Sequence, residues 1–456
     1  MTSTTSLPES GRTDVESAGV SGTALTLDEA MAVALDRLQQ GDADDAEAIC
    51  RKILDVAPEY PTALHYLGML RHRQGNDGDA LELIRRSLTL VPDQPDWHSN
   101  LGIVLQSSDD LEGAMAAFER AIALSPTHAQ AHNNLGVLLR VFGHNDRAEA
   151  AYRRAIELNP GYADAFSNLA ILLSYMSRPR EAVTAYSHAL ALKPSMPDAR
   201  RLLVVAYCQI GDREKAIATC EQWVKDDPAD PLAWHALASV SGQDVPARAS
   251  DAYIQKTFDS FSRTFEAKLA RLDYRAPTLI VDALVEAEAP APRSLDLLDL
   301  GCGTGLCGPQ LAPHARRLVG VDLSEGMLEH ARSKAVYDEL VQGELTAYAT
   351  GCLEAFDAVV SADTLVYFGS LEDVARAVAG ALRPGGRFIF TVEESVDPDR
   401  AAPYTIQPHG RFCHTADYVV RTLRDVGLEP TFTRAELRKE GGVPVPGLIV
   451  SARRKA

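Results

Sequence analysis

Between about residues 27 and 230 a long period overlies the helical spacing of hydrophobic positions. The segments HYLGML, NLGIVL and NLGVLL place Gly68, Gly102 and Gly136 34 residues apart, and Ala170 and Val204 continue the series. Leu67, Leu101, Leu135, Leu169 and Leu203 precede that small residue each time, while Ala46, Ala80, Ala114, Ala148, Ala182 and Ala216 recur in the same register. Each unit closes with a proline: Pro58, Pro92, Pro126, Pro160, Pro194 and Pro228. Proline lacks a backbone donor and disfavours helix in the residue before it, so each marks a helix end. The pattern predicts pairs of short helices. Gly or Ala stands where two helices cross, and leucines with Phe118, Tyr152 and Tyr186 fill the space between them.

A 34-residue helical repeat resembles the tetratricopeptide repeat (TPR). Six units fit, and PLAWHALASVSG starts a partial seventh. Such repeats bury their apolar faces by stacking on neighbours, which leaves a groove for a peptide or protein. Asn100, Asn134 and Asn168 are again 34 apart, in SNLG, NNLG and SNLA. They resemble the asparagine ladder of O-linked N-acetylglucosamine transferases, where amides hold the backbone of a peptide by offering both donors and an acceptor. The alternative is that they tie helix to helix or face solvent. His65, His98 and His132 fall on the first helices as a product of the repeat and are not read as metal ligands. Trp97, Trp223 and Trp234 are read as core or capping residues.

After SGQDVPARAS the period stops. DAYIQKTFDSFSRTFEAKLARLDYRAPTLIVDALVE reads as one or two amphipathic helices, and AEAPAPR as a linker. Strands then alternate with helices: SLDLLDL, a helix from about Leu306, RLVGVDL, SEGMLEHARSKA, DELVQGEL, FDAVVSAD, LEDVARAVAGAL and GRFIFTVEE. This order implies a parallel, doubly wound sheet with its ligand at the strand ends.

The first strand runs into Asp299-Leu-Gly301-Cys302-Gly303-Thr304-Gly305, where alternate glycines permit a tight turn and close approach of backbone amides to a ligand. Leu306 stands where a dinucleotide fold would want its last glycine, and no Gly-Lys-Ser or Gly-Lys-Thr follows, which excludes a P-loop. Acidic residues follow in order: the second strand ends at Asp322 in VGVDLSEGML, where a carboxylate accepts hydrogen bonds from a ribose diol, the third carries Glu344 in VQGEL, and the fourth is FDAVVSADTLVYF.

With LRPGGRFIF, these segments resemble the class I S-adenosylmethionine-dependent methyltransferases over about residues 250 to 456. The order of domains, the helix FDSFSRTFEAKLARLDYRAP and the tail GRFCHTADYV with LRKEGGVPVPGLIVSARR resemble predicted bacterial methyltransferases that carry TPRs. The resemblance implies an all-α TPR superhelix followed by an α/β Rossmann-like class I methyltransferase domain with a mostly parallel seven-stranded sheet. It implies S-adenosyl-L-methionine as cofactor. Asp299, Gly301, Gly303 and Gly305 would surround its methionine part, Asp322 would hold the ribose and Glu344 would lie by the adenine. Cys302, Thr304, Leu323, Met327, Leu345 and Ser361 complete the cofactor set. Tyr253, Phe258 and Phe261 are read as a lid or as packing against the sheet.

Asp363 would face the transferring methyl. The motif for amino-group methylation, NPPY, is absent from the fourth strand, which carries Ser361-Ala362-Asp363-Thr364, and no Pro-Cys pair occurs there. His414 is the first choice as base, because imidazole titrates near neutral pH, with Asp363 and Tyr367 as rivals. Arg411 is a candidate holder of a substrate carboxylate or phosphate. The acceptor is read as a small molecule or a protein, with a protein or peptide in the TPR groove. The contrasting reading is a scaffold or sensor that only binds cofactor.

Composition sharpens this picture. Of 456 residues, 46% are hydrophobic and 24% charged, the balance of an ordinary globular chain. With 63 acidic against 45 basic residues the formal charge is -18, which argues against nucleic acid as a partner, since that affinity rests on neutralising phosphates. Seven cysteines without a CxxC pair suit a cytoplasmic setting, and no apolar run reaches membrane-spanning length. The expected division is a disordered tail over 1–26, TPRs over 27–240, connecting and lid helices over 241–293 and the methyltransferase domain over 294–456.

Overall fold

The computed structural model describes residues 25–270, 272–288, 290–395, 402–440 and 442–455. The expected tail lies outside the described residues as far as residue 24. Thr26, counted in that tail, caps the first helix in a reciprocal pair with Glu29.

Among the described residues twelve helices form six pairs, from α1 (Leu27–Gln40) and α2 (Ala43–Val56) to α11 (Pro197–Gln209) and α12 (Arg213–Asp226), and α13 (Pro231–Ser241) begins a seventh. The second helices end at Val56, Leu90, Leu124, Leu158, Leu192 and Asp226, two residues before each period-marking proline. The repeating glycines are required by the facing helix. A Cβ on Gly102 would lie 2.6 Å from the Phe118 ring, and one on Gly136 2.7 Å from the Tyr152 ring. Ala80, Ala114, Ala148 and Ala182 are fully buried, as are Phe118, Tyr152 and Tyr186.

The chain divides into two compact units between Met196 and Pro197. Helices α11 to α13, which continue the repeat pattern, thus fall in the same compact unit as the sheet, and α13 is bonded to segments that follow it. Those begin with α14 (Asp251–Phe261), a 3-10 turn (Ser262–Thr264), α15 (Phe265–Ala270) and α16 (Ala276–Glu288).

Strands and helices then alternate through β1 (Leu295–Leu300), α17 (Gly308–Leu311), β2 (Ala315–Asp322), α18 (Glu325–Ser333), β3 (Glu339–Gln342), α19 (Leu345–Thr350), β4 (Phe356–Ser361), α20 (Glu372–Ala381) and β5 (Leu382–Glu394). The chain ends with β6 (Tyr404–Ile406), β7 (Phe412–His414), α21 (Ala416–Asp425), β8 (Leu428–Glu440) and β9 (Val443–Arg454). The helix expected from Leu306 is the four-residue α17.

The order β3-β2-β1-β4-β5 is parallel, and β9 pairs antiparallel with both β5 and β8. These are the seven expected strands. A short hairpin, β6 with β7, joins the end of β5 and brings the described sheet to nine. Alternate strand residues face opposite layers: Leu298, Val319 and Phe388 pack with α20 residues, while Leu297, Leu318 and Ile389 pack with α16 residues. The chain reverses direction of winding between β1 and β4, and the crevice beyond those strand ends is where such sheets take a ligand. No helix among the described residues is long and apolar enough to cross a membrane.

Candidate active site

At the end of β1 the chain turns through Gly301, Gly303 and Gly305, with φ of 72°, 55° and 80°. This left-handed region costs a side chain free energy and suits glycine. The turn is fixed from β2: the Asp322 carboxylate accepts from the Gly303 amide through Oδ2 at 2.9 Å and from the Ser324 amide through Oδ1 at 2.9 Å. Burial pushes the Asp322 carboxyl up, and these amides oppose the shift. Glu344 is not part of β3. It caps α19, accepting from the Thr346 amide at 3.0 Å and the Ala347 amide at 2.7 Å.

A cavity of about 280 Å³ lies over these groups, of the size that takes a small organic ligand. Of the residues singled out in the sequence, Gly301, Cys302, Gly303, Thr304, Asp322, Leu323, Met327, Glu344, Leu345, Asp363, Tyr367 and Arg411 line it. Phe258 and Phe261 line its opposite wall, where their rings pack 5.5 Å apart. Tyr253 faces elsewhere, stacked on His235 at 3.8 Å.

Four expected residues do not reach the cavity, each for a geometric reason. Gly305 turns toward the ring of Tyr337, which a Cβ would approach to 3.0 Å. Ser361 donates to the Leu300 carbonyl at 2.8 Å and ties β4 to β1. His414, expected in a loop bordering the acceptor, lies on β7, fully buried, with Nε2 3.1 Å from the Gly369 carbonyl and its ring parallel to Tyr418. Burial holds its pKa down to about 4, so it is neutral and out of reach as a base.

Asp299 lies beneath the glycine turn, accepting from the Tyr337 hydroxyl at 2.8 Å with its second oxygen buried and unpartnered. Burial pushes its carboxyl up to about 7, against the opposing Tyr337 bond. A carboxyl whose pKa rises on folding, from about 4 to about 7, stabilises the fold fully below the lower value and loses that contribution as pH climbs through the upper one. Asp299→Asn is therefore expected to remove a downward slope of unfolding free energy between about pH 4 and pH 7. Urea denaturation of both proteins across that range checks this; parallel profiles would contradict it.

The far side of the cavity holds a buried charge network that the sequence did not reveal. Arg438 of β8, 4% exposed, donates to Asp363 Oδ2 at 2.6 Å, to Glu440 Oε1 at 2.7 Å and to Glu393 Oε1. Arg411 donates to Glu393 Oε1 at 2.7 Å and to Glu440 Oε1 at 2.5 Å. Asp363 has φ 56° and its amide donates to Thr391 Oγ1 at 2.8 Å, so β5 sets its direction. Burial raises the Asp363 carboxyl, with Arg438 opposing, and burial also pushes the Tyr367 hydroxyl far up. The β8–β9 register shifts between Glu436 and Arg438. Such a bulge changes the face on which a strand's later residues lie, so simple alternation does not place Arg438.

In the repeats, the Asn100 amide lies 3.0 Å from His65 Nε2, and Asn168 donates to Asn133 Oδ1 at 3.0 Å. Asn133 in turn donates to Asn134 Oδ1 at 3.2 Å. These amides tie successive repeats together. His98 and His132 reach the carbonyls of Pro92 and Pro126, and the Trp234 indole reaches that of Pro228, six residues back each time. Trp223 is buried, and Trp97 stacks on His65; Trp234 is 53% exposed rather than core.

A methyltransferase domain family matches residues 298–390. Tetratricopeptide repeat families match 37–101, 175–240, 100–163 and 151–184. The human Methyltransferase-like protein 27 is 43% identical over 84 residues, 18% of this chain and 34% of that protein. A dTDP-3-amino-3,4,6-trideoxy-alpha-D-glucopyranose N,N-dimethyltransferase of Streptomyces venezuelae is 31% identical over 173 residues, 36% of this chain and 70% of the enzyme. The first five relatives by similarity are matched over only 26% to 48% of their own length. The solved structure of pilF from Pseudomonas aeruginosa, 20% identical with a TM-score of 0.42, aligns with 46% of this chain and 95% of that one. The glycine turn, the parallel sheet and the relatives agree: this chain belongs to the class I methyltransferases and carries tetratricopeptide repeats ahead of its methyltransferase domain.

Proposed function

We propose that the chain transfers a methyl group from S-adenosylmethionine to a small-molecule or protein acceptor, with the repeats recruiting a protein partner or presenting a protein substrate. The observation that carries this reading is the single cavity into which the glycine turn, Asp322, Glu344 and Asp363 all open. The residues present fit the cofactor. Each Asp322 oxygen accepts one backbone amide and keeps lone-pair capacity for a diol. Gly301 and Gly303 put no side chain into the turn, and Leu323, Met327 and Leu345 supply apolar walls for a flat base.

Bound S-adenosylmethionine would supply a methyl group already activated on a sulfonium. The chain's own residues then position the acceptor and exclude water. Phe258, Phe261 and Phe265 of the helical wall keep the cavity apolar, while Arg438 orients the Asp363 carboxylate at its far side. With His414 outside the cavity, proton removal falls to Asp363 or Tyr367, or the acceptor reacts in an already nucleophilic form.

Calorimetric titration of the full chain with S-adenosylmethionine tests the reading. Asp322→Ala strands the Gly303 and Ser324 amides and removes the diol acceptor, and is expected to weaken binding about a hundredfold, the worth of about two hydrogen bonds to a charged group. Absence of binding by the unaltered chain at about 1 mM ligand, an affinity no stronger than about -4 kcal/mol, would count against it.

A further inference from the structure

Helix α13, read from the sequence as the start of a seventh repeat, its N-terminal cap and the segment that follows it bond to three segments that line the cavity. Its first residue is capped by Asp230, a 4% exposed carboxylate whose Oδ1 accepts from the Leu232 amide at 3.0 Å and from Lys256 Nζ of α14 at 2.9 Å. Helix α14 carries Phe258 and Phe261, so this ion pair holds the aromatic wall. The segment after α13 pairs with the loop that carries Tyr367: the Ala249 amide donates to the Tyr367 carbonyl at 2.8 Å, and the Gly369 amide to that of Ala247 at 2.9 Å.

The third contact is the most specific. His235 Nε2 lies 2.7 Å from the carbonyl of Gly410, the residue before Arg411. A carbonyl only accepts, so Nε2 carries the proton, and burial lowers the ring's pKa against the opposing Gly410 bond. The ring is sandwiched between Tyr253, stacked at 3.8 Å, and the edge of Phe412. Gly410 has φ 89°, and a Cβ there would lie 2.8 Å from the Tyr253 hydroxyl and 3.2 Å from the His235 ring. The turn is closed by Gln407, whose amide donates to the Arg411 carbonyl at 2.8 Å and whose carbonyl accepts from Gly410 at 2.7 Å. Arg411 leaves this turn to face the cavity and to bind Glu393 and Glu440.

We propose that His235 is a positioning residue for the methyl-acceptor side: it clamps the Gly410–Arg411 turn, so that the last repeat helix is a working wall of the catalytic cavity. This rests on the reading of Arg411 and Asp363 as the acceptor side. Without the clamp the turn keeps its backbone bonds, the Arg411 amide bond to His409 Nδ1 and the Arg411 ion pairs, but loses its tie to α13. Arg411 then samples positions in which Glu393 and Glu440 lean on Arg438 alone, and the acceptor loses a fixed cation. Anything that shifts α13 acts on the acceptor site through the same bond.

The test uses the full chain and three variants, His235→Ala, His235→Gln and Gly410→Ala. Hydrogen exchange is read over residues 405–415 and across the sheet, together with S-adenosylmethionine affinity and tritiated methyl transfer into host-cell extract. His235→Ala is expected to speed exchange at the Gln407–Arg411 turn about tenfold, the value of one hydrogen bond, with cofactor affinity within about twofold. Methyl transfer should fall by about tenfold or more. His235→Gln keeps a donor at that reach and should restore both readouts, while Gly410→Ala should reproduce the alanine effect by displacing the ring. Unchanged exchange at the turn in His235→Ala, or equal acceleration in the sheet strands, would overturn the clamp. A wild-type chain that fails to bind S-adenosylmethionine would sink the functional reading instead, while turn exchange still decides whether the clamp exists.

Discussion

Replacing Arg438 by methionine is expected to cost the sheet-bearing unit about 3–5 kcal/mol at neutral pH, the usual penalty for stranding buried charge. Asp363, Glu393 and Glu440 all accept from this one guanidinium, and Arg411 cannot serve all three, since it contacts only Glu393 and Glu440. Glu440 is held down to about 2 against its own burial, with Arg411 and Arg438 as the opposing charges. A group with a depressed folded pKa stabilises the native state above its unfolded value, about 4.3, and loses that contribution as pH falls through the folded one.

Removing Arg438 lifts the carboxyl pKa values in the folded variant, so its deficit relative to wild type should shrink as the pH is lowered toward about 5. Arg438→Lys retains charge but not the planar fork, and should fall between the two. Urea denaturation at pH 7.5 and pH 5 measures these differences; a deficit below about 1 kcal/mol at the higher pH, the value of an ordinary surface pair, would show that the network is not the buried electrostatic unit described.

The second expected result separates two glycines of one turn. Gly301→Ala should destabilise the fold by about 3 kcal/mol, combining the left-handed backbone penalty with overpacking. Its Cβ would lie 2.2 Å from Thr364 Cγ2, and Thr364 anchors the turn by donating to the Gly301 carbonyl at 3.1 Å. Gly303→Ala meets nothing within 4 Å, so only the backbone penalty of about 1–2 kcal/mol applies. Gly303 lines the cavity, however, and its new methyl enters the space proposed for the cofactor. Denaturation should rank Gly301→Ala as the less stable variant. Calorimetry with S-adenosylmethionine should rank Gly303→Ala as the larger loss per unit of stability. Equal stability losses would contradict the crowding at Gly301.

The wall of the cavity around the glycine turn is legible because its groups sit in short contiguous motifs. The glycine turn follows β1, Asp322 ends β2 and Glu344 comes just after β3, so chain order places them at the strand ends. The wall that carries the Arg438 network was not legible in this way. Its members come from the end of β4, from β5, from the turn before β7 and from β8, and the Arg438 position depends on a register shift. His414 lies away from the cavity for a related reason: a two-residue pairing with the end of β5 makes the expected loop a buried strand.

The sequence by itself determined the repeat, its helix ends and its crossing glycines, because each repeat contacts its near neighbours and the 34-residue spacing records those contacts directly. It also determined the class of the second fold, since the alternation of strands and helices is local. Only the tertiary structure decided where the working unit begins. His235 and Ala249 bind groups far along the chain through single hydrogen bonds. Such contacts leave no period and no motif in the sequence, because they depend on which surfaces meet after both folds have formed.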